Sequence, residues 1–317
     1  MKNNVLLAFF STIALCLLVA FPKVYLTASF DGIKLFAYNV LPCLLPFFFF
    51  TKVLTNLGIN NKLGKIFKKP CKFLYNTSGQ GGFVFVMSIL SGYPIGAKLI
   101  SNLYEDGIIG KSEALSISSF TSTSGPMFML GTVGAIMLNN HTYGIIILTC
   151  HYLSAILNGF LYRKEESVTD TKPSLKLKNL DNVLNTSISD SINGVLTCGA
   201  YIAIFYMIAT MLKNVGVLSL LSSALNIVFK NPVLASGLSF GLVEMTGGCA
   251  ILSKTVSFWT LPSICAIITF GGLSVTLQSI TFLGKCGIKF SQYLIRKVSQ
   301  TIIAFLLTVL AEAVFCL

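Results

Sequence analysis

The chain alternates apolar runs with short polar ones, and several of the apolar runs are interrupted. Residues 4–21 form an unbroken run that ends at Pro22, Lys23, Val24 and Tyr25, so a first transmembrane helix is predicted there. A polar link with Asp31 and Lys34 follows, then a second apolar run over about 36–58, interrupted by Pro42 and Pro46. Segment 60–72 carries Lys62, Lys65, Lys68, Lys69 and Lys72 and no acid; the spacing of Leu63, Ile66, Phe67, Phe73 and Leu74 predicts an amphipathic helix in the headgroup layer. From Gly82 to Leu90 the chain is apolar for only about nine residues, roughly 13 Å of helix against a hydrocarbon core of about 30 Å. Such a leg cannot cross alone. Ser91 to Gly96 then breaks the pattern and another short apolar leg follows, which predicts a re-entrant helical hairpin turning inside the membrane. The run 111–138 is long enough to cross, with Ser122, Thr123, Ser124, Gly125 and Pro126 near its middle, and 141–162 crosses back.

After a polar stretch over 163–182, read as a surface linker, the same order returns. Helix 188–212 is followed by a weaker amphipathic stretch over 214–230. An apolar run over 232–258 is broken at Glu244, Met245, Thr246, Gly247 and Gly248. A crossing over 259–283 has Gly271, Gly272, Leu273 and Ser274 near its middle. A basic link with Lys285, Lys289, Arg296 and Lys297 then leads to a last helix over about 298–316. The expected fold is an all-α integral membrane protein. Its parts are an N-terminal helix and link (1–35), a first repeat (36–162), a cytoplasmic linker (163–187) and a second repeat (188–317).

Charge tests this layout. If both broken segments were full crossings, the basic clusters at 60–72 and 163–178 would lie on opposite faces; as re-entrant hairpins they leave both clusters, and 285–297, on one side. Lys and Arg favour the cytoplasmic side. The expectation is therefore seven crossings plus two hairpins, N-terminus inside and C-terminus outside, with the two repeats inverted. Inverted repeats whose broken helices meet at the midplane mark secondary transporters.

Composition agrees. With 54% hydrophobic and 11% charged residues in 317, and a mean hydropathy of +0.79, the chain lacks the charge that a water-facing surface needs. The net charge of +12 sits in short segments between apolar runs, so it is read as membrane topology and not as a nucleic-acid surface. Nine cysteines form no Cys-x-x-Cys pair and are read as small hydrophobes; His141 and His151 have no acid or Cys at ligand spacing, so no metal site is expected. The basic start and apolar run have the look of a signal peptide, but no Ala-x-Ala site follows, and a retained helix is expected.

Breaks at membrane depth are tolerated only inside protein or along a cavity. Four irregular elements are expected to converge: the tip at 91–96, the break at 122–126, the tip at 244–248 and the break at 271–274. Pro126 suits the first residue of a restarting helix, with Ser124 close to the capping position. Helix N-termini aimed at a cavity suit anionic or hydroxyl-rich ligands. The candidate ligand contacts are Gly92, Tyr93, Pro94, Thr123, Ser124, Gly125, Glu244, Thr246, Gly247, Gly272, Ser274 and Gln278. The alternative is that the glycines serve close helix packing and the hydroxyls bond back to helix carbonyls. Glu244, set among Leu242, Val243 and Met245, is the sharpest of them: an acid there is costly unless it has a task. It either contacts ion, proton or ligand, or accepts backbone N–H bonds within its own tip. Lys98 lies just past the first tip, and Glu312 is placed at the membrane interface. No nucleotide loop, activated nucleophile or catalytic carboxylate pair is present, so an enzyme is not expected.

The motifs SGYPIGAK (91–98), SGPMF (124–128), HYL (151–153), EMT (244–246) and FGGLS (270–274) with Gln278 resemble the YlbJ-type sporulation integral membrane proteins, which carry the nucleoside-recognition or Gate domain. The resemblance covers nearly the whole chain. It implies a protein of endospore-forming bacteria, made during sporulation and needed for spore maturation, in the mother-cell or forespore-surrounding membrane. Gate domains resemble elements of concentrative nucleoside transporters and of bacterial ferrous iron transporters. The order of helix, hairpin and broken helix is similar to the former; the GTPase domain of the latter is missing. The expected function is a transporter or channel-like protein that moves a small polar solute, a nucleoside among the candidates, through a midplane site without a cofactor. The competing expectation is a non-transporting scaffold for spore-envelope assembly. Membrane lipid is the expected surrounding, with self-association and other sporulation proteins as further partners and nucleic acid as none.

Overall fold

The computed structural model describes residues 2–57, 65–163 and 180–315, and every regular element among them is helical. The linker prediction at 163–182 and the basic residues Lys62, Lys164, Lys172, Lys176 and Lys178 fall largely or wholly outside these residues. Among the described residues five helices are long and apolar enough to cross a membrane: 22–54, 141–161, 182–214, 260–286 and 290–314. Of the expected crossings, the N-terminal helix α1 (Lys2–Ala20) is 19 residues long, whereas the broken run 111–138 forms no continuous helix of spanning length. Outward faces carry large apolar side chains such as Leu220, Ile227, Leu310 and Val314, which suits contact with lipid.

The polar link expected after α1 is itself helical. Helix α2 (Pro22–Leu35) continues through a π-turn (Phe36–Val40) into α3 (Leu41–Asn56). Pro42 cannot donate to the helix ladder and its ring crowds the carbonyl four residues earlier; the wider π-turn just before it absorbs that misfit. The chain then forms α4 (Lys68–Tyr75) and a short helical pair, α5 (Gly79–Ser91) and α6 (Ile95–Glu105), which pack together. At about 20 Å and 16 Å neither leg could span a bilayer alone.

The run 111–138 is interrupted where its sequence indicates. Helix α7 (Lys111–Ser118) ends, residues 122–125 are irregular, and a second π-helix (Phe128–Met137) follows; helical backbone restarts at Pro126. Gly125, rather than Ser124, supplies the cap carbonyl, accepting from Phe128 N and Met129 N. The two π-segments meet: Thr132 Oγ1 donates to the Asn39 carbonyl at 2.8 Å. Helix α8 (His141–Leu161) starts at Asn140, whose side chain caps two backbone amides.

The second half contains α9 (Leu180–Asn214), α10 (Val217–Phe229), a second short pair α11 (Pro232–Gly241) and α12 (Met245–Leu252), then α13 (Thr260–Phe270), α14 (Gly272–Leu283) and α15 (Phe290–Phe315). Helix α13 stops at Gly271, whose φ of +80° is left-handed and closes a helix end. The expected basic link is shorter than its charges suggest. Helix α15 starts eight residues early, so Arg296 and Lys297 are helical and Lys297 is buried. Glu312, placed at the interface by sequence, is 3% exposed among the helices.

Candidate functional site

The first tip is shaped by two close approaches. Gly92 has φ +72°, and a Cβ on it would lie 2.5 Å from the Gly125 amide nitrogen. A Cβ on Gly96 would strike the Thr121 carbonyl and Ser88 Oγ. The tip therefore seats on the break of its own half, and the peptide between Tyr93 and Pro94 is cis.

Broken helices free backbone groups that must find partners, and here neighbouring helices supply them. Ser124 N donates to His151 Nε2 (2.9 Å), and Tyr152 Oη donates to Ser124 O (3.1 Å), both from α8. Ser122 O lies 3.4 Å from Lys297 Nζ, while Ser122 Oγ and Tyr293 Oη share a hydrogen bond of 2.6 Å. Asn158 Nδ2 donates to Ser119 O.

The second tip is held differently. Glu244 occupies the N-cap of α12; its carboxylate accepts from Thr246 N (2.9 Å) and Gly247 N (2.6 Å). Of the two readings of this acid, self-capping is therefore observed, and it leaves the carboxylate at the edge of a cavity. The restart of α14 binds this tip through its backbone: Leu273 N donates to Leu242 O (2.9 Å) and Ser274 N to Val243 O (3.1 Å). Tyr93 links the halves, donating to the carbonyls of Ile268 (3.2 Å) and Thr269 (3.1 Å) at the end of α13.

All four irregular elements face one cavity of about 50 Å³. Its polar rim is Ser91, Gly92, Tyr93, Ser124, Gly125, Glu244, Thr246, Ser274 and Gln278, and its apolar wall includes Val40, Leu44, Phe128, Ile202 and Val275. The remaining candidates lie just behind it. Pro94 and Thr123 border a neighbouring void of about 10 Å³, Gly247 serves the Glu244 cap, and Gly272 packs on the Gly241 and Val243 carbonyls. A vestibule of about 300 Å³ adjoins the cavity at Gln278 and contains Lys98, Asp190, Asn193 and Tyr201. Sequence reasoning did not place Cys198 and Ile202 of α9 in the wall, nor the buried trio His151, Tyr293 and Lys297 behind the break. An imidazole and an ammonium on the same helices as long apolar runs were the available signal. The eight cysteines among the described residues are free, and five are buried.

Residues 37–140 match the family model of the Gate domain, described as nucleoside recognition; the match runs from the first π-turn to the cap of α8. The chain is 29% identical, over 95% of its own length and 81% of the relative's, to the sporulation integral membrane protein YlbJ of Bacillus subtilis (strain 168). No solved structure matches it.

Proposed function

We propose that this Gate-domain relative of a sporulation integral membrane protein moves a small polar solute through the cavity between its two tips and two breaks. The observation that carries this is the convergence of four backbone irregularities on one polar-rimmed cavity, with Glu244, Ser124 and Gln278 facing it. Structural repair of isolated kinks does not require such convergence. The reading includes two inverted repeats with re-entrant hairpins, in a layout similar to concentrative nucleoside transporters. Helix contacts support it: α3 packs on α9, and α8 on α15, as elements exchanged by a twofold would. The cross pairs α6 with α14 and α12 with the second π-helix are likewise equivalent. A cavity of about 50 Å³ holds a few waters and no nucleoside. The conformation is thus closed, and a solute enters when a hairpin moves.

The membrane is that of the mother cell or surrounds the forespore, and no reaction is catalysed. The test is thermal stabilisation of the purified protein by a panel of nucleosides, amino acids and inorganic anions, since a ligand of the native state raises its apparent stability. Stabilisation by one class, lost in Glu244→Gln, is the expected result. If Glu244→Gln and Ser124→Ala proteins insert normally, leave heat-resistant spores unchanged and keep every ligand response, the site is elsewhere. A scaffold would instead lose function on charge reversal at Lys65 and Lys69 while the cavity changes stayed silent.

A further inference from the structure

Lys297 is 1% exposed in the middle of the helix packing, and no carboxylate pairs with it among the described residues. Its ammonium has other acceptors. Nζ donates to Tyr93 Oη at 2.9 Å, lies 3.4 Å from the Ser122 carbonyl, and sits 4.6 Å from the centroid of the Tyr93 ring. Tyr93 in turn donates to the Ile268 and Thr269 carbonyls. One ammonium thereby ties the first tip to the first break, and through Tyr93 to the end of α13. An ammonium without an anion at membrane depth is costly, and lysine, unlike arginine, escapes that cost by losing its proton.

The groups around it do not compete for this role. His151 on α8 accepts from Ser124 N through Nε2 and meets Thr269 Oγ1 (2.8 Å) through Nδ1; a second proton on the ring would break the Ser124 bond. Tyr152 on α8 and Tyr293 on α15 are engaged with Ser124 O and Ser122 Oγ, and Cys150 on α8 and Cys265 on α13 are buried thiols. Glu113 of α7 is bonded to Ser78 N, and α14 has no titratable side chain. Arg296 turns to the Tyr162 ring.

We propose that Lys297 is a proton-binding site that latches the first hairpin tip. Charged, it holds Tyr93 against Ser122; neutral, it loses its attraction for the ring and the carbonyl, and the tip is free to leave the break. The proton comes from water, resides on Nζ and returns to water, so the ion coupled to solute movement is a proton. The route we assign to the proton is the buried polar face of α15. Gln300, Thr308 and Glu312 share the buried face of α15 with Lys297, within about a third of the helix circumference. Both amide atoms of Gln300, one carboxyl oxygen of Glu312 and Ser263 Oγ on the facing α13 have no protein partner. Buried polar atoms of this kind take water. The inference rests on the solute-site reading of the cavity, yet the two fail separately, because the latch is read with no solute present.

The test uses the full chain in lipid nanodiscs with Cys198, which lines the same cavity as Gly92, as the sole cysteine. Its alkylation by a neutral reagent is measured from pH 5.5 to 9 and divided by the rate of a free thiol at each pH. The expected ratio rises at least tenfold with pH in a one-proton step. In Lys297→Met it is flat and high, and in Lys297→Arg flat and low. A flat profile in the parent, or a step that survives in Lys297→Met, overturns the proposal. Should Lys297→Met fail to fold, a step surviving in Lys297→Arg overturns it equally.

Discussion

Gly92 and Gly125 touch backbone to backbone, but the contact is one-sided: a Cβ on Gly92 would lie 2.5 Å from the Gly125 nitrogen, whereas a Cβ on Gly125 would lie 3.5 Å from the Gly92 nitrogen. Gly92 also holds φ +72°, and no positive φ occurs at Gly125. Gly92→Ala should therefore cost on the order of 1–3 kcal/mol from backbone strain alone, with the clash added. Gly125→Ala should stay within about 0.5 kcal/mol of the parent. Thermal unfolding of the two variants, side by side in one detergent, checks this asymmetry. Equal losses would show that the tip does not seat on the break.

Glu244 has two tasks that separate by substitution. Glu244→Gln keeps one carbonyl oxygen for the cap, removes the charge and leaves one of the two backbone amides without an acceptor, so the helix start should lose about 1–3 kcal/mol. Glu244→Ala removes the cap as well and should cost about 1–2 kcal/mol more. Both should lose the solute response, and the second should melt earlier than the first. A solute response that survives in Glu244→Gln would leave the acid a structural cap.

Thr132 is the hydroxyl that satisfies the Asn39 carbonyl beside Pro42. Thr132→Val fills the same space and removes the hydrogen bond between the two π-segments, an expected loss of about 0.5–1.5 kcal/mol. Thr132→Ser should recover most of it. A valine variant as stable as the parent would mean that another donor reaches Asn39.

Topology has its own check. Two re-entrant hairpins place the C-terminus outside and the basic segments at 65–72 and 285–289 inside. A C-terminal reporter active only outside the cytoplasm should therefore score, and cysteines introduced at 65 and 285 should be labelled only after the membrane is permeabilised. A cytoplasmic C-terminus would remove the seven-crossing layout.

Element type and approximate boundaries followed from local pattern. Runs too short to cross, the break before Pro126 and the Gly271 stop act over a few residues, and those residues are adjacent in the chain. Boundaries drifted where a charge misled: Asp31 and Lys34 read as a link but lie in α2, because the adjoining apolar positions pack on α9.

The sequence by itself determined that this is an all-helical membrane protein with two tips and two helix breaks, and it singled out Glu244 at one of them. Only the tertiary structure decided that both oxygens of Glu244 cap their own helix, that Tyr93 reaches across to the end of α13, and that Lys297 leaves its apparent link to stand behind Ser122. The physical reason is distance along the chain. Periodicity and capping are local, whereas a lysine 204 residues from the tyrosine it bonds is placed by helix packing that no local pattern encodes.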